Sequence, residues 1–396
     1  MIKHSSVFAL ILFIEFILFL FFSFTELNKN KKRYIFFCVT TLSITAFFFN
    51  PIKAWELKGN YTDLYRFYQD LYFFRNYSYF GNELLFKTDY SLIPVIRWLI
   101  KFVAITHING LLPFISSMLS YGIFGFVIYK VSEKYEVDSK KTALIFFIFI
   151  SLINYKITIT NIRMPIGMSI MFLTYYNDIF KNKRLSLCLL GYIICCCIHS
   201  VFYLFVIFRI LLFLFNKYSI KILYFLLVIS SMFLGFFTSK INLFNSNPLI
   251  SSILYKIGFY TEGMGSTIDN FELNVFLLGI LKIVILLILI YEASHILKRN
   301  KKLKYEVVFC RLTMIFLFFS LGSTWNFHLF HRMTNFLTYF ICFWYLLLNS
   351  FYSKSIYKNN GIYEYGISVN TILLSIIVIL HLYYFFMSYQ YGVLTF

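Results

Sequence analysis

Guanidinium, imidazole and carboxylate groups stand at the edges of apolar runs in this chain, where a charged substrate could meet them. Arg163 and Pro165 lie in Lys156–Gly167, K-I-T-I-T-N-I-R-M-P-I-G, at the junction of two strongly apolar runs. An arginine near lipid costs about 2.5–3.5 kcal/mol at a helix centre, which marks it for function by default. The plainer alternative is a helix-end anchor whose guanidinium snorkels to the interface. His331 and Arg332 precede a later apolar run, and His199 follows another. Two arginines and a histidine so placed are what an anionic, phosphate-bearing substrate needs. Guanidinium groups hold phosphate oxygens bidentately, and a histidine can move a proton near neutral pH. Upstream, Asp63, Arg66, Asp70, Arg75 and Glu83 share a polar segment with Tyr65, Phe67 and Tyr68. The carboxylates could orient sugar hydroxyls or act as a base, and the rings could stack on sugar faces. Interfacial belt residues are the plainer account of such rings. His328-x-x-His331 would face one way on a helix like a metal pair, but no acid or cysteine nearby supplies a third ligand. No metal site is expected there.

The elements that position these residues follow from composition. The chain is 60% hydrophobic and only 13% charged, with a mean hydropathy of +0.75. Soluble domains carry about 25% charged residues, so an ordinary cytosolic globule is excluded. Apolar runs long enough to cross a hydrocarbon core about 30 Å thick recur from end to end. The expected fold is an all-α polytopic integral membrane protein with the lipid bilayer as its surroundings. The net charge of +19 has a cause other than nucleic acid: the basic residues gather in short loops on one side, the positive-inside pattern. The cysteines include Cys195-Cys196-Cys197 in an apolar run and form no CxxC pair, so they read as small membrane-core residues.

Taken in order, about twelve transmembrane helices are expected. Ser5–Phe24 lacks a small-residue cleavage site and reads as a retained helix; Tyr34–Asn50 crosses outward after the basic loop Asn28–Arg33. Residues 51–107 form an outer loop plus a re-entrant or interfacial helix near 91–106, where Arg97 and Lys101 lie four residues apart. One crossing, Ile108–Tyr129, then brings Lys130–Lys141 to the cytoplasm. Crossings at Thr142–Thr160, Met164–Phe180, Leu185–Ile198, Val201–Phe215 and Ile222–Thr238 follow. A second outer loop spans 239–271. Glu272–Leu297, Tyr305–Gly322, Met333–Ser350 and Ile367–Ser388 complete a single transmembrane domain, 1–396, with both termini outside. In this topology the unusual polar residues collect at the outer side, with Glu15, Arg209, Lys282 and Arg311 as the main exceptions.

Several short motifs in this order resemble the EpsG-like branch of Wzy-type bacterial polysaccharide polymerases. They are Asp63-Leu64-Tyr65-Arg66-Phe67-Tyr68, Gly81-Asn82-Glu83-Leu84, Asn161-Ile162-Arg163-Met164-Pro165-Ile166-Gly167, Ile198-His199-Ser200 and His331-Arg332-Met333. Many relatives carry Arg-Gln where this chain has Arg163-Met164, and beyond Asn349 the likeness is apolar character alone. The resemblance implies a GT-C-like membrane glycosyltransferase that needs no cofactor or metal. It would join undecaprenyl-diphosphate-linked repeat units into O-antigen, capsule or exopolysaccharide at the outer face of a bacterial cytoplasmic membrane. The growing lipid-linked glycan would be the donor and a new lipid-linked unit the acceptor, with a chain-length regulator and a flippase as further partners. Arg163 and Arg332 would bind the diphosphate, and His199 would assist as base or phosphate ligand. Asp63 or Glu83 would bind or activate the acceptor, with Arg66, Tyr65, Tyr68 and His331 as further substrate contacts. Two other functions stay open: a polyprenyl-phosphate-sugar-dependent glycosyltransferase, and a transporter or flippase of lipid-linked sugars. A transporter would show charges at mid-membrane.

Overall fold

An apolar chain in lipid has to satisfy its own backbone, and a helix does so within one segment. The computed structural model describes residues 31–49, 63–76, 93–153, 155–180, 185–215, 220–238, 270–300, 302–325 and 327–353, with positions 375 and 379. All regular structure among the described residues is helical. The helices are α1 (Lys31–Phe47), α2 (Asp63–Asn76), α3 (Pro94–Thr106), α4 (Leu111–Lys134), α5 (Ser139–Leu152), α6 (Tyr155–Thr160), α7 (Arg163–Tyr175), α8 (Leu185–Ile198), α9 (Val201–Phe215), α10 (Ile220–Thr238), α11 (Asn270–Arg299), α12 (Lys304–Gly322) and α13 (Phe327–Ser353). A π-helical turn, Tyr176–Phe180, extends α7, and a 3-10 turn, Ser323–Trp325, precedes α13. Leu111–Lys134, Phe276–Arg299 and Lys304–Gly322 are long and apolar enough to cross a membrane. The protein is an all-helical membrane protein. Expected helix Ser5–Phe24 lies outside the described residues, as do nearly all of Ile367–Ser388 and the loop from 239 to 269.

Two compact units divide the described chain. One holds α1 to α8, the first turn of α9 through Tyr203, and the end of α13 from Asn349; the other runs from Leu204 to Leu348. In the first unit α4 is central and packs on α1, α5 and α7. Its core is aromatic: Phe124 lies 3.9 Å from Phe149 and 5.3 Å from Phe172, ring centre to ring centre. Gly125 is what lets α1 and α5 come close, since a Cβ there would stand 2.6 Å from Ile35 Cγ2 and 3.0 Å from the Phe146 ring. In the second unit α12 packs on α10 and α11. Phe205, Phe208, Phe316 and Phe336 form its centre, and the Trp344 indole N–H donates to Thr313 Oγ1 at 2.9 Å.

The structure departs from the expected helices in three places. The crossing expected over Thr142–Thr160 is broken: α5 ends at Leu152, Ile153 is extended, and α6 starts at Tyr155. Neighbouring side chains make the break tolerable. Ser116 Oγ donates to the Thr158 carbonyl at 2.6 Å, and the Tyr155 hydroxyl reaches the Leu42 carbonyl of α1 at 2.7 Å. The first supplies a carbonyl that the interrupted helix leaves open, and the second anchors the fragment to α1. Within the expected outer loop 51–107, residues 63–76 form α2, whose Leu64, Phe67, Tyr68 and Leu71 are buried at i, i+3, i+4 and i+7. α13 begins at Phe327, well before the expected Met333, so His331 and Arg332 sit on a helix. α3, in the segment expected to hold a re-entrant or interfacial helix, is 13 residues, about 20 Å of helix.

The tight α4 seam gives a paired test. Gly125→Ala should lower the thermal midpoint in detergent, by about 1–3 kcal/mol of overpacking. Gly122→Ala, whose Cβ would meet Val39 Cγ1 at an ordinary 3.6 Å, should leave it unchanged or higher. Equal effects of the two would refute a close contact at Gly125.

Candidate functional site

Pro165 decides where Arg163 stands. Proline has no N–H and its ring collides with the carbonyl four residues back, here Asn161, so a helix entering from α6 cannot run through it. In the first turn of a new helix the same residue is tolerated. The chain therefore turns at Asn161 and Ile162, the Met164 N–H bonds to the Asn161 carbonyl at 3.1 Å, and α7 begins with Arg163. A cation there faces the positive end of the helix dipole, and it is met by a carboxylate. Arg163 Nη2 lies 2.9 Å from Asp63 Oδ2, with the two side chains only 20% and 16% exposed. Asp63 opens α2, the favourable end for an anion. Its other oxygen, Oδ1, accepts from Arg66 Nη2 one turn along. The Arg163 guanidinium carbon also lies over the Phe67 ring, 5.6 Å from its centre. Two sequence motifs, D-L-Y-R-F-Y and N-I-R-M-P-I-G, thus meet in one cluster.

α2 presents two different faces. Tyr65 is half-buried, while Arg66, Gln69 and Tyr72 are exposed. Tyr68, expected to stack on a sugar, is instead buried. Burial pushes its phenol well above the usual tyrosine range, with Arg75 opposing, so it stays protonated. Arg75 ties α2 to α3: its Nε donates to the Ala104 carbonyl at 3.2 Å and its Nη2 to Val103 at 3.4 Å. These are carbonyls of the last turn of α3, which ends in His107 with a left-handed φ of 58°. A cation at that helix end caps it.

His199 joins α8 to α9. It is buried, and its Nδ1 accepts the Val201 N–H at 3.1 Å, which caps the start of α9. A neutral imidazole whose Nδ1 accepts carries its proton on Nε2. His199 is therefore a hydrogen-bond donor at Nε2. The junction packs on α7 one turn beyond Arg163. The Phe202 ring, edge-on to His199, fills the space above Gly167, where any Cβ would overlap it. Cys195 Sγ lies 3.5 Å from the Gly167 carbonyl.

The first unit therefore gathers Asp63, Arg66, Phe67 and Arg163, with His199 on the adjoining helix junction. His331 and Arg332, both half-buried, lie on α13 in the second unit. Glu83 falls outside the described residues. Asn335, which contacts both Lys282 and His331, and the exposed Tyr72 escaped sequence reasoning. The i+4 spacing from His331 and the i+7 spacing from Tyr65 were the signals that could have found them. No family model matches the chain, and neither a curated protein nor a solved structure matches it.

A double-mutant cycle checks the central pair. Asp63→Asn and Arg163→Gln, singly and together, should show a coupling of about 0.5–3 kcal/mol in thermal stability, as residues in direct contact do. Strict additivity would mean that the two side chains do not interact.

Proposed function

We propose that the protein is a membrane glycosyltransferase that polymerises undecaprenyl-diphosphate-linked oligosaccharide repeats at the outer face of a bacterial cytoplasmic membrane. It resembles the EpsG-like branch of Wzy-type polymerases in the motifs that carry this reading. One observation supports it most: residues of two separate motifs, Asp63 with Arg66 and Arg163, form a single charged cluster at the head of an apolar helix.

In the reaction, the hydroxyl oxygen of the acceptor's non-reducing-end sugar attacks the anomeric carbon of the donor glycan. The new C–O bond forms as the bond from that carbon to phosphate oxygen breaks. The undecaprenyl diphosphate leaves with the electron pair, and the hydroxyl proton passes to a base. Charge grows on the leaving diphosphate, so pre-positioned cations and donors are the main requirement. Arg163 meets that charge, and His199 Nε2–H adds a neutral donor; for Arg332 the phosphate role rests on the motif resemblance alone. Asp63 has both oxygens engaged by guanidinium groups, so its role is to aim Arg163. Activation of the acceptor then falls to Glu83. The exposed Tyr72, together with Tyr65, offers a ring face to the sugars in place of Tyr68.

The test is a gel of surface and lipid-linked glycan from a strain lacking the gene. The ladder should collapse to a single repeat unit, return with the wild-type gene, and stay collapsed with Arg163→Ala. Arg163→Ala that still gives full-length chains would overturn the role of that arginine. Lipid-linked units trapped inside, with none outside, would make the protein a flippase. An unchanged ladder on deletion would end the polymerase reading.

A further inference from the structure

Within the second unit, α11 and α13 approach along one narrow seam. Gly279 of α11 faces α13 so closely that a Cβ would lie 2.5 Å from Phe330 Cε1 and 3.2 Å from Thr334 Cγ2. The Phe276 and Phe330 rings meet at 5.0 Å one turn before it. One turn after it, on the same face, comes Lys282, a lysine only 4% exposed in an otherwise apolar span. The close approach at Gly279 brings Lys282 Nζ to 3.4 Å from Asn335 Oδ1. Asn335 Nδ2 in turn lies 3.1 Å from His331 Nε2.

The three groups form a chain whose hydrogen-bond sense is set at one end. An ammonium group has donors and no acceptor, so the amide atom that faces it is the carbonyl oxygen. The other amide atom is then NH2, a donor. The imidazole nitrogen that faces this donor accepts, and an accepting ring nitrogen carries no proton. The ring proton of His331 is left on Nδ1. We propose that Lys282 is a positioning residue: acting through Asn335, it holds His331 as the neutral Nδ1–H tautomer, a hydrogen-bond donor beside Arg332 for the phosphate groups of an anionic lipid. The ligand half rests on the lipid-diphosphate reading above; the tautomer does not. His331 in this state binds an oxyanion and is not the base of the reaction. The lysine acts as a second-layer charge, in the way that outer partners fix the ring orientation and tautomer of functional histidines.

The full-length chain in nanodiscs, with ring-nitrogen-labelled histidine, carries the test. His331 resonances are assigned by their loss in His331→Gln. The wild type should show a pyridine-type shift at Nε2 and a pyrrole-type shift at Nδ1. Lys282→Met frees the amide to turn, so the two shifts should exchange places or average, while Lys282→Arg, another pure donor, should restore the wild-type pattern. Asn335→Asp presents acceptors only and should move the proton to Nε2, which keeps the test decisive where Lys282→Met fails to fold. A wild-type spectrum with the proton on Nε2, or a folded Lys282→Met with unchanged shifts, would overturn the proposal. Inorganic pyrophosphate should perturb Nδ1 before Nε2. No perturbation, with the tautomer intact, would overturn the ligand assignment alone, and polymer length in cells plays no part in any of these readouts.

Discussion

A guanidinium at the start of an apolar helix is tolerable only if an anion meets it, and the first unit is arranged around that requirement. Arg163 stands at the positive end of α7, where neither lipid nor the helix dipole favours it. Asp63 supplies the missing charge from α2. That helix is itself fixed from its other end by Arg75, which donates to the closing carbonyls of α3. The two ends of α2 thus involve arginines that do different work. Arg75 is cap and tether; Arg163, from α7, is part of a partly buried charge cluster.

The same need for partners explains the irregular backbone nearby. α6 is a six-residue fragment between two breaks, a form that would be costly if it faced lipid. It survives because its neighbours hold it: the Ser116 hydroxyl of α4 satisfies the Thr158 carbonyl, and the fragment's own Tyr155 hydroxyl donates to the Leu42 carbonyl of α1. The break in turn sets the direction in which α7 departs and so where Arg163 points. Packing that looks remote from the chemistry therefore aims it.

Both histidines have a ring nitrogen hydrogen-bonded to a neighbour that carries no charge itself. A backbone N–H donates to Nδ1 of His199, which leaves that ring its donor on Nε2; an asparagine amide meets Nε2 of His331, where the proposed tautomer puts the donor on Nδ1. Such donors suit an acceptor-only group.

The helical character and the helix start at Arg163 were legible in the chain, because each rests on local facts: run length and a proline. The interrupted α5–α6 segment was not legible, since its apolar pattern runs straight through Ile153 and only hydrogen-bond partners on other helices make the break tolerable. α2 was readable in principle from Leu64, Phe67, Tyr68 and Leu71, but the surrounding polar residues gave the segment the look of a loop. Tyr68 shows the limit most plainly: sequence offers a tyrosine among polar neighbours, and only the packing of α2 on α3 decides that its ring turns inward. The sequence by itself determined which charged residues exist in an apolar chain and where helices can start. Tertiary structure alone decided their partners, because an ion pair or a tautomer depends on atoms brought within about 3 Å from elements far apart along the chain.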